Sequence, residues 1–395
     1  MNEPKLRFKA DDGSQFPDWE EKKIGELGTF IKGAPLSKAD ISECGSPLIL
    51  YGELYTTYKE VAYNIQRKTQ AVVDEKYYSC IGDVIIPTSG ESAEDISTAT
   101  CVMTPGVVLG GDLNIFRSNI LDGRIVSYIL NHQAKWKIAV IAQGKSIVHI
   151  QAKQLSNIPV KYPVSKAEQQ KIAEFLSTID TVIEKQKETV SAWEERKKGM
   201  MQKLFSQEVR FKADDGSNFP DWEKKKIGDV FDVTRGYVLP VKKTREVSDN
   251  EYKYPVYSSQ TKNNGLMGFY NQKLYENAIT WTTDGANAGK TVYRNEEFYC
   301  TNVCGVLLDK KGNHNANDCI ANMIDTISKK YVSYVGNPKL MNNVMSEIEI
   351  DFPCPEEQQK IADCLSSLDE VIEKQKAILA VWEELKKGLL QQMFV

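Results

Sequence analysis

The sequence has little of what catalytic or metal-binding proteins need. Its 395 residues include only three histidines, and its eight cysteines form no CxxC pair, so no zinc-ligand spacing is present. No GxSxG motif and no P-loop occur, and Asn337-Pro338 is not followed by the proline and aromatic residue of the amino-methyltransferase motif. We therefore predict no catalytic residue, no metal and no cofactor in this chain.

Long apolar runs are also lacking. No segment approaches the roughly 18 apolar residues that a membrane-spanning helix needs. The first residues, MNEPKLRFKADDGS, lack the apolar core of a signal peptide. We expect a cytoplasmic protein whose thiols are reduced and mostly buried.

Neither charge sign dominates. The formal net charge is −4. Lys and Arg number 12 against 12 Asp and Glu in variable region 1 (residues 28–155), and 14 against 11 in variable region 2 (residues 231–345). Neither is the strongly basic patch of a stand-alone DNA-binding domain. If DNA is the ligand, a partner protein is expected to supply much of the phosphate neutralisation.

What the sequence does contain is an internal repeat. LRFKADDGSQFPDWEEKKIGEL at 6–27 returns as VRFKADDGSNFPDWEKKKIGDV at 209–230, with 17 of 22 positions identical. A longer block that begins EQQKIA at residue 168 returns at residue 357. The order is short block, variable region and long block, twice over, which indicates a pseudo-two-fold architecture. Repeated blocks around two dissimilar regions are expected when the repeated blocks serve assembly and each variable region recognises a different ligand.

Each long block has the heptad pattern of a coiled-coil helix. Residues recur at alternating steps of four and three, and about 38 residues in this pattern form a helix roughly 57 Å long. The seam positions are Ile172, Leu176, Ile179, Ile183, Gln186, Val190 and Trp193 in the first copy, and Ile361, Leu365, Leu368, Ile372, Gln375, Leu379 and Trp382 in the second.

We expect the two seams to pack on each other as an antiparallel pair, because no domain of this size can bury so long a helix by itself. Gln186 and Gln375, near the middle of the seams, would then fix the register. The alternative is two helices packed separately on their own domains. The Glu-Gln-Gln runs at 168–170 and 357–359 follow prolines and are predicted to cap the first helical turn.

Both variable regions are predicted to be mixed and largely β, because short apolar runs alternate with Gly, Asn and Asp. Strand-like runs occupy 83–87, 106–109, 253–257 and 304–308, and short helices are expected near 124–136 and 318–332. The predicted fold class is α+β, with two mixed, largely β domains separated by two long antiparallel coiled-coil helices. The predicted domains are residues 1–155, 156–208, 209–350 and 351–395.

Several loops carry side chains suited to reading bases. Residues 257–264 combine hydroxyls, amides and one cation, which can bond base edges or phosphates. Residues 51–59 combine aromatic and hydroxyl groups with Glu53, which could accept from cytosine N4. Gly90 and Gly285, after two apolar runs, would allow tight turns close to a ligand. Solvated turns are the alternative. The candidate DNA contacts are Lys32, Tyr51, Glu53, Tyr55, Thr56, Tyr58, Lys59, Ser89, Lys145, Arg235, Tyr237, Lys242, Lys243, Tyr257, Ser258, Ser259, Gln260, Lys262, Asn263, Asn264, Asp284, Asn287 and Lys290.

The doubled arrangement resembles the specificity subunits of Type I restriction-modification enzymes. The resemblance rests on the Glu-Gln-Gln-Lys-Ile-Ala entry, the long helix ending near Trp-Glu-Glu and Lys-Lys-Gly, and their repetition around two unlike regions, and it covers essentially the whole chain. It implies that each variable region is a target-recognition domain for one half of a split, asymmetric double-stranded DNA sequence. The helices would set the spacing of the halves and dock two modification (methyltransferase) subunits.

The resemblance also implies that S-adenosylmethionine is bound by the modification subunit, and that methylation and cleavage belong to the modification and restriction subunits. A two-headed protein–protein scaffold without nucleic-acid binding is the alternative, favoured by the acidic net charge. The C-terminal QQMFV followed by the N-terminal NEPKLRF imitates the internal junction at 202–211. The termini are therefore predicted to lie close together.

Overall fold

The computed structural model describes residues 4–142, 148–259, 262–312 and 314–395. The chain forms two compact units. Unit 1 contains Met1–Lys187 and Ile378–Val395, and unit 2 contains Glu188–Ala377. Each unit therefore combines one variable region with one part of each long helix.

Unit 1 is mixed α and β, as the sequence predicts. Its strands are β1 (Glu20–Lys23), β2 (Thr29–Lys32), β3 (Ser46–Ile49), β4 (Val61–Ala62), β5 (Arg67–Thr69), β6 (Asp83–Pro87), β7 (Ser89–Gly90), β8 (Thr100–Val102), β9 (Val108–Leu109), β10 (Leu113–Arg117), β11 (Val148–His149) and β12 (Pro159–Tyr162). Its helices are α1 (Ile24–Leu27), α2 (Glu53–Thr56), α3 (Ala93–Ile96), α4 (Gly123–Asn131), α5 (Lys135–Ile141), α6 (Ala152–Ser156) and the first part of α7 (Lys166–Phe205).

A five-stranded sheet in the order β2-β10-β6-β8-β4 forms the centre of unit 1, and a three-stranded sheet, β5-β3-β9, lies in the same variable region. Strand β6 is buried along its length, and its residues alternate between two cores. Val84 and Ile86 join the core beneath α4, whereas Ile85 joins a second core on the opposite face. Because both faces of this sheet are buried, the strand reads as a continuous apolar run.

Unit 2 has fewer strands and short helices than unit 1 and is built around a different sheet. Its strands are β13 (Glu223–Lys226), β14 (Phe231–Arg235), β15 (Tyr254–Tyr257), β16 (Leu266–Tyr270), β17 (Tyr275–Thr282), β18 (Thr291–Cys300), β19 (Cys304–Asp309) and β20 (Glu349–Phe352). Its helices are α8 (Ile227–Val230), α9 (Asp318–Ser328), α10 (Asn342–Glu347), the end of α7 and the first part of α11 (Pro355–Met393). The main sheet has the order β14-β19-β17-β18-β15-β16.

The predicted antiparallel arrangement of the long helices is confirmed within each unit. In unit 1, Asp180 Oδ1 of α7 lies 2.7 Å from Lys386 Nζ of α11. In unit 2, Lys197 Nζ of α7 lies 2.6 Å from Asp369 Oδ1 of α11. Residues early in one helix thus meet residues late in the other.

The seams are buried by more than the partner helix. In unit 1, Ile172, Leu176, Ile179 and Ile183 share one core with Tyr128 of α4 and with Leu390 and Met393 of α11. In unit 2, Ile361 and Leu365 share a core with α9 residues and Leu204. The ends of each seam therefore pack on both the partner helix and a globular layer, which combines the two arrangements considered from the sequence.

The prediction that the Glu-Gln-Gln runs cap their helices is wrong for the glutamate. Glu168 is fully buried, and its carboxylate accepts hydrogen bonds from Arg7 Nε and Nη2 at 3.0 Å each and from Trp19 Nε1 at 3.2 Å. The second copy repeats this arrangement. Glu357 accepts from Arg210 Nε at 3.1 Å, from Arg210 Nη2 at 2.7 Å and from Trp222 Nε1 at 2.8 Å. We call each set of three residues a clasp, because it joins the short repeated block to the start of a long helix.

The chain ends of unit 1 are adjacent, as predicted. Lys5 N donates to the carbonyl of Gln392 at 2.8 Å. All eight cysteines are free, but Cys44 and Cys80 are exposed rather than buried. No helix in the described part of the chain combines the length and apolar character that a membrane crossing requires.

Candidate functional site

The two loops selected from the sequence follow topologically equivalent strands. Strand β3 pairs antiparallel with β5 and parallel with β9. Strand β15 likewise pairs antiparallel with β16 and parallel with β18. Tyr51 follows the end of β3 by two residues, and Ser258 follows β15 directly. The two unlike variable regions therefore present their polar loops at the same place in a shared strand arrangement.

Variable region 1 has a cavity of about 850 Å³ beside its loop, which we call cavity 1. It brings together four of the predicted contacts, Lys32, Tyr51, Glu53 and Thr56. Lys38, Arg67, Tyr77 and Asp112, which the sequence did not single out, also line it. The cavity wall thus carries three cations, two carboxylates and two phenol rings.

Glu53 lies at the start of α2 and is almost completely buried, with a side-chain exposure of 4%. Its Oε2 accepts a hydrogen bond from Leu50 N at 3.0 Å, and its Oε1 lies 3.0 Å from Arg67 Nε. Burial raises the pKa of Glu53, against the opposing effects of the Leu50 N–H and the Arg67 charge.

Four other candidates of variable region 1 do not line cavity 1. Tyr58 belongs to the core, and its hydroxyl accepts from Gln66 N at 3.2 Å. Ser89 is buried and donates to Asp112 Oδ2 at 3.2 Å. Tyr55 is half-buried and donates to the Ser89 carbonyl, and burial raises its pKa. Lys59 is exposed and lies 3.8 Å from Glu383 of α11. The structure does not bring these four side chains to the wall of cavity 1.

Gly90 does not form the predicted tight turn. It lies in β7, where Ser89 and Gly90 pair with His149 and Val148 of β11. Gly285 does have the left-handed backbone that favours glycine, with φ of +94°. Of the two glycines, only Gly285 has the backbone conformation that a tight turn favours, and its closeness to a ligand stays a prediction.

Variable region 2 has a smaller cavity of about 240 Å³, cavity 2. Tyr257, Ser258, Asn264, Asn287 and Lys290, all predicted contacts, line it. Tyr257 is mostly buried, and burial together with a hydrogen bond to Glu296 raises its pKa to about 12. Lys290 Nζ is 2.7 Å from Asp325 Oδ2.

Arg294 also lines cavity 2. It is only 7% exposed, and its guanidinium lies 3.5 Å from the centre of the Tyr257 ring. Its Nε donates to Thr280 Oγ1 at 3.2 Å and its Nη2 to the Asn264 carbonyl at 2.6 Å. Burial lowers the pKa of Arg294. Through its bond to the Asn264 carbonyl, the Arg294 side chain holds the loop at 257–264.

The turn at the tip of this loop is exposed and left-handed. Asn263 and Asn264 have φ of +49° and +53°, a conformation that Asn adopts more readily than most residues. Their amides are of the type that bonds adenine bidentately. Lys145 and Gln260 lie outside the described residues, as does the side chain of Lys262.

The remaining candidates of variable region 2 do not line cavity 2. Tyr237, Lys242 and Lys243 are exposed, and Ser259 is half-buried. Arg235 Nη2 donates to Asn342 Oδ1 at 3.0 Å, and Asp284 lies 3.7 Å from Lys339 Nζ.

Sequence reasoning missed Arg67 and Arg294 for a common reason. Each is a single arginine in a strand, outside the polar loops. Arg67 stands opposite Leu48 in the β3–β5 register, and Arg294 stands opposite Ala278 in β17. Only strand pairing brings them to the loops, so no local pattern could have identified them. Among the described residues, no cluster of three or more His, Cys, Asp or Glu is placed to hold a metal ion.

Comparisons with known proteins point to one family. The model described as "Type I restriction modification DNA specificity domain" matches residues 17–191 and 220–382. The two matched stretches cover most of the chain, and each contains one variable region and most of one long helix.

Individual relatives agree with this match. The chain is 39% identical over 158 residues to a type I specificity subunit of Mycoplasma pneumoniae, a match that covers 40% of this chain and 50% of the relative. It is 34% identical over 161 residues to the Type I restriction enzyme MpnII specificity subunit of the same organism, covering 40% of this chain and 46% of that protein. The chain thus spans about half the length of these curated relatives.

Solved structures show the same fold. The Type-I restriction-modification system S subunit from M. genitalium aligns with a TM-score of 0.67 at 17% identity, over 100% of this chain and 99% of that one. A chain from a structure of a type I R-M system that addresses complex assembly and conformational transition aligns with a TM-score of 0.52 at 15% identity, over 96% and 98%. At these identities the likeness concerns the fold.

Proposed function

The chain belongs to the Type I restriction-modification DNA specificity family, and from this premise we propose that it is the sequence-recognition subunit of a Type I complex. Variable region 1 reads one half of a split double-stranded DNA target and variable region 2 reads the other. Because the two regions differ, the target is asymmetric. The long helices set the half-site spacing and dock two modification subunits.

The single observation that carries this proposal is the placement of two unlike polar sites within one repeated frame. Cavity 1 and cavity 2 both adjoin the loop that follows the equivalent strands β3 and β15. Their linings differ, with a Glu53–Arg67 ion pair in one and a buried Arg294 in the other. A frame that holds two different readers suits a target made of two different halves.

The chain's partners follow from its charge and from its lack of catalytic motifs. A chain of net charge −4 needs cationic partners to bind DNA strongly, and the modification subunits are proposed to supply them. S-adenosylmethionine is bound there as well, so methyl transfer takes place on those subunits. Restriction subunits complete a cleaving complex. We place the assembly in the cytoplasm, with the DNA it modifies.

The test is co-purification of the full chain with the modification subunit encoded beside it, followed by mapping of methylated adenines on DNA exposed to the complex. The expected result is a stable complex and one split, asymmetric motif. Exchange of residues 231–345 for those of a relative should change one half of the motif and leave the other half intact.

Two outcomes contradict the proposal. If the complex does not form and no motif is methylated, the scaffold alternative is favoured. If the exchange of residues 231–345 alters both halves or neither, the assignment of one half-site to each variable region is wrong.

A further inference from the structure

We propose that Arg67 reads a guanine in the half-site recognised by variable region 1, and that Glu53 is its positioning residue. This inference rests on the proposed function and assigns part of its specificity to two named side chains. Nothing in the local sequence around Arg67 indicates such a role.

The backbone of Arg67 is paired with a partly buried strand. Arg67 is the first residue of β5 and lies opposite Leu48 of β3 in the antiparallel register. Leu48 is fully buried in a core shared with Val108 of β9. A side chain on such a strand is placed more accurately than one on a free loop, which base reading requires.

Glu53 holds the guanidinium by one edge. Its Oε1 lies 3.0 Å from Arg67 Nε, while its Oε2 is fixed by Leu50 N. Among the described residues, no acceptor is hydrogen-bonded to Nη1 or Nη2 of Arg67. The two Nη groups are therefore left for a ligand, and their planar pair of N–H donors matches the O6 and N7 acceptors of guanine.

The distribution of exposure favours a reader over a purely structural ion pair. The Glu53 side chain is 4% exposed, whereas that of Arg67 is 40% exposed. Arg67 also lines cavity 1, together with Lys32 and Lys38, whose ammonium groups could bind the flanking phosphates. A cation that served only to neutralise Glu53 would have no need of this open, phosphate-compatible surrounding.

The experiment uses the complete complex with its modification subunits and compares R67A, R67K and E53Q with the unchanged chain. Binding is measured on a DNA duplex that carries the split motif found by methylation mapping. It is measured again on duplexes in which each guanine of the first half-site is replaced in turn by 7-deazaguanine, which lacks the N7 acceptor. At one guanine, R67A is expected to lose about 5- to 150-fold in discrimination. R67K should lose nearly as much because a lysine cannot make the planar pair of bonds, and E53Q should lose less.

Lys38 provides the matched control, because it lines the same cavity and is exposed. K38A should weaken binding to every duplex equally and reduce the slope of log affinity against log salt by about one, with the motif unchanged. If R67A behaves as K38A does, Arg67 contacts phosphate and the inference is overturned.

Further outcomes keep the inference testable if R67A misfolds. For the unchanged chain, insensitivity to 7-deazaguanine at every position of the first half-site overturns it, and so does a half-site with no guanine on either strand. These results leave the proposed function intact. Failure of the unchanged complex to methylate any split motif contradicts the proposed function itself.

Discussion

The two units of this chain have the same frame and different inserts. In each, the short repeated block supplies one strand of a two-stranded sheet, with Glu20 opposite Tyr162 in unit 1 and Glu223 opposite Phe352 in unit 2. The clasps use the same three residue types and the same arginine bonds, but the indole N–H bonds Oε1 of Glu168 in one and Oε2 of Glu357 in the other. By contrast, unit 1 builds a five-stranded and a three-stranded sheet where unit 2 builds one six-stranded sheet.

The difference shows which interactions constrain the sequence. A buried carboxylate must have all its partners present, because an unpaired buried charge is costly. The clasp residues are accordingly identical in both copies. The sheets need only alternating apolar residues of suitable size, which many sequences can supply, and so the loops above them can differ.

The largest expected effect tests whether the clasps are equivalent. E168A and E357A should each destabilise the chain by about 3 kcal/mol, because each leaves an arginine and an indole N–H without their buried acceptor. Urea unfolding of the two variants should give similar losses. D18A is the control, since Asp18 is 96% exposed beside the same arginine, and little change is expected. A small loss for either clasp variant would show that the copies are not equivalent.

The second prediction contrasts equivalent positions of the two long helices. Lys386 is only 8% exposed and lies 2.8 Å from Glu60 and 2.7 Å from Asp180. K386A should cost about 3 kcal/mol because two carboxylates lose their cation. Lys197, its counterpart in the first helix, pairs with Asp369, which is 51% exposed. K197A should cost only about 0.2–1 kcal/mol, and equal losses by urea unfolding would contradict the contrast.

A third prediction concerns acid. Burial by itself would raise the pKa of Glu60, but His132 and Lys386 together lower it well below its ordinary value. A carboxyl whose pKa is depressed by folding stabilises the protein above its unfolded pKa of about 4.3, and this contribution is lost as the pH falls. Asp180 opposes part of this loss, since burial raises its pKa.

Below about pH 5, the unchanged chain should therefore lose stability more steeply than E60Q, because the glutamine has no proton to take up. Urea unfolding at a series of pH values from 7 to 4 measures both slopes. Parallel slopes would show that Glu60 does not contribute to the acid sensitivity.

The smallest effect is expected for a circular permutant that joins the termini and opens the chain near Ser206. Lys5 N already bonds the Gln392 carbonyl, as Val209 N bonds the Lys203 carbonyl at the internal junction. The permutant should fold with nearly unchanged stability, and circular dichroism with urea unfolding would detect a failure.

Much of the fold was predictable because it depends on local periodicity. The heptad steps predicted both long helices, and the runs at 83–87 and 304–308 lie in strands β6 and β19. The role of Glu168 could not be predicted from the sequence, because its partner Arg7 lies 161 residues away. A helix-cap interpretation considers only neighbours along the chain and could not have found that partner.

The candidate sites divide in the same way. The loop at 51–59 was identifiable by its composition, but whether each member faces a cavity or the core depends on packing. Tyr58 and Glu53 are both buried, yet only Glu53 lines cavity 1. Its partner Arg67 could be recognised only after strand pairing was known.

The sequence alone thus determined the duplicated frame, the two long helices and the family, because a repeat and a heptad pattern can be recognised directly in the sequence. Only the tertiary structure decided which buried charges meet and which side chains line each cavity. Those contacts join residues distant in sequence across strands and between helices, and their strength depends on burial, which the order of residues does not give.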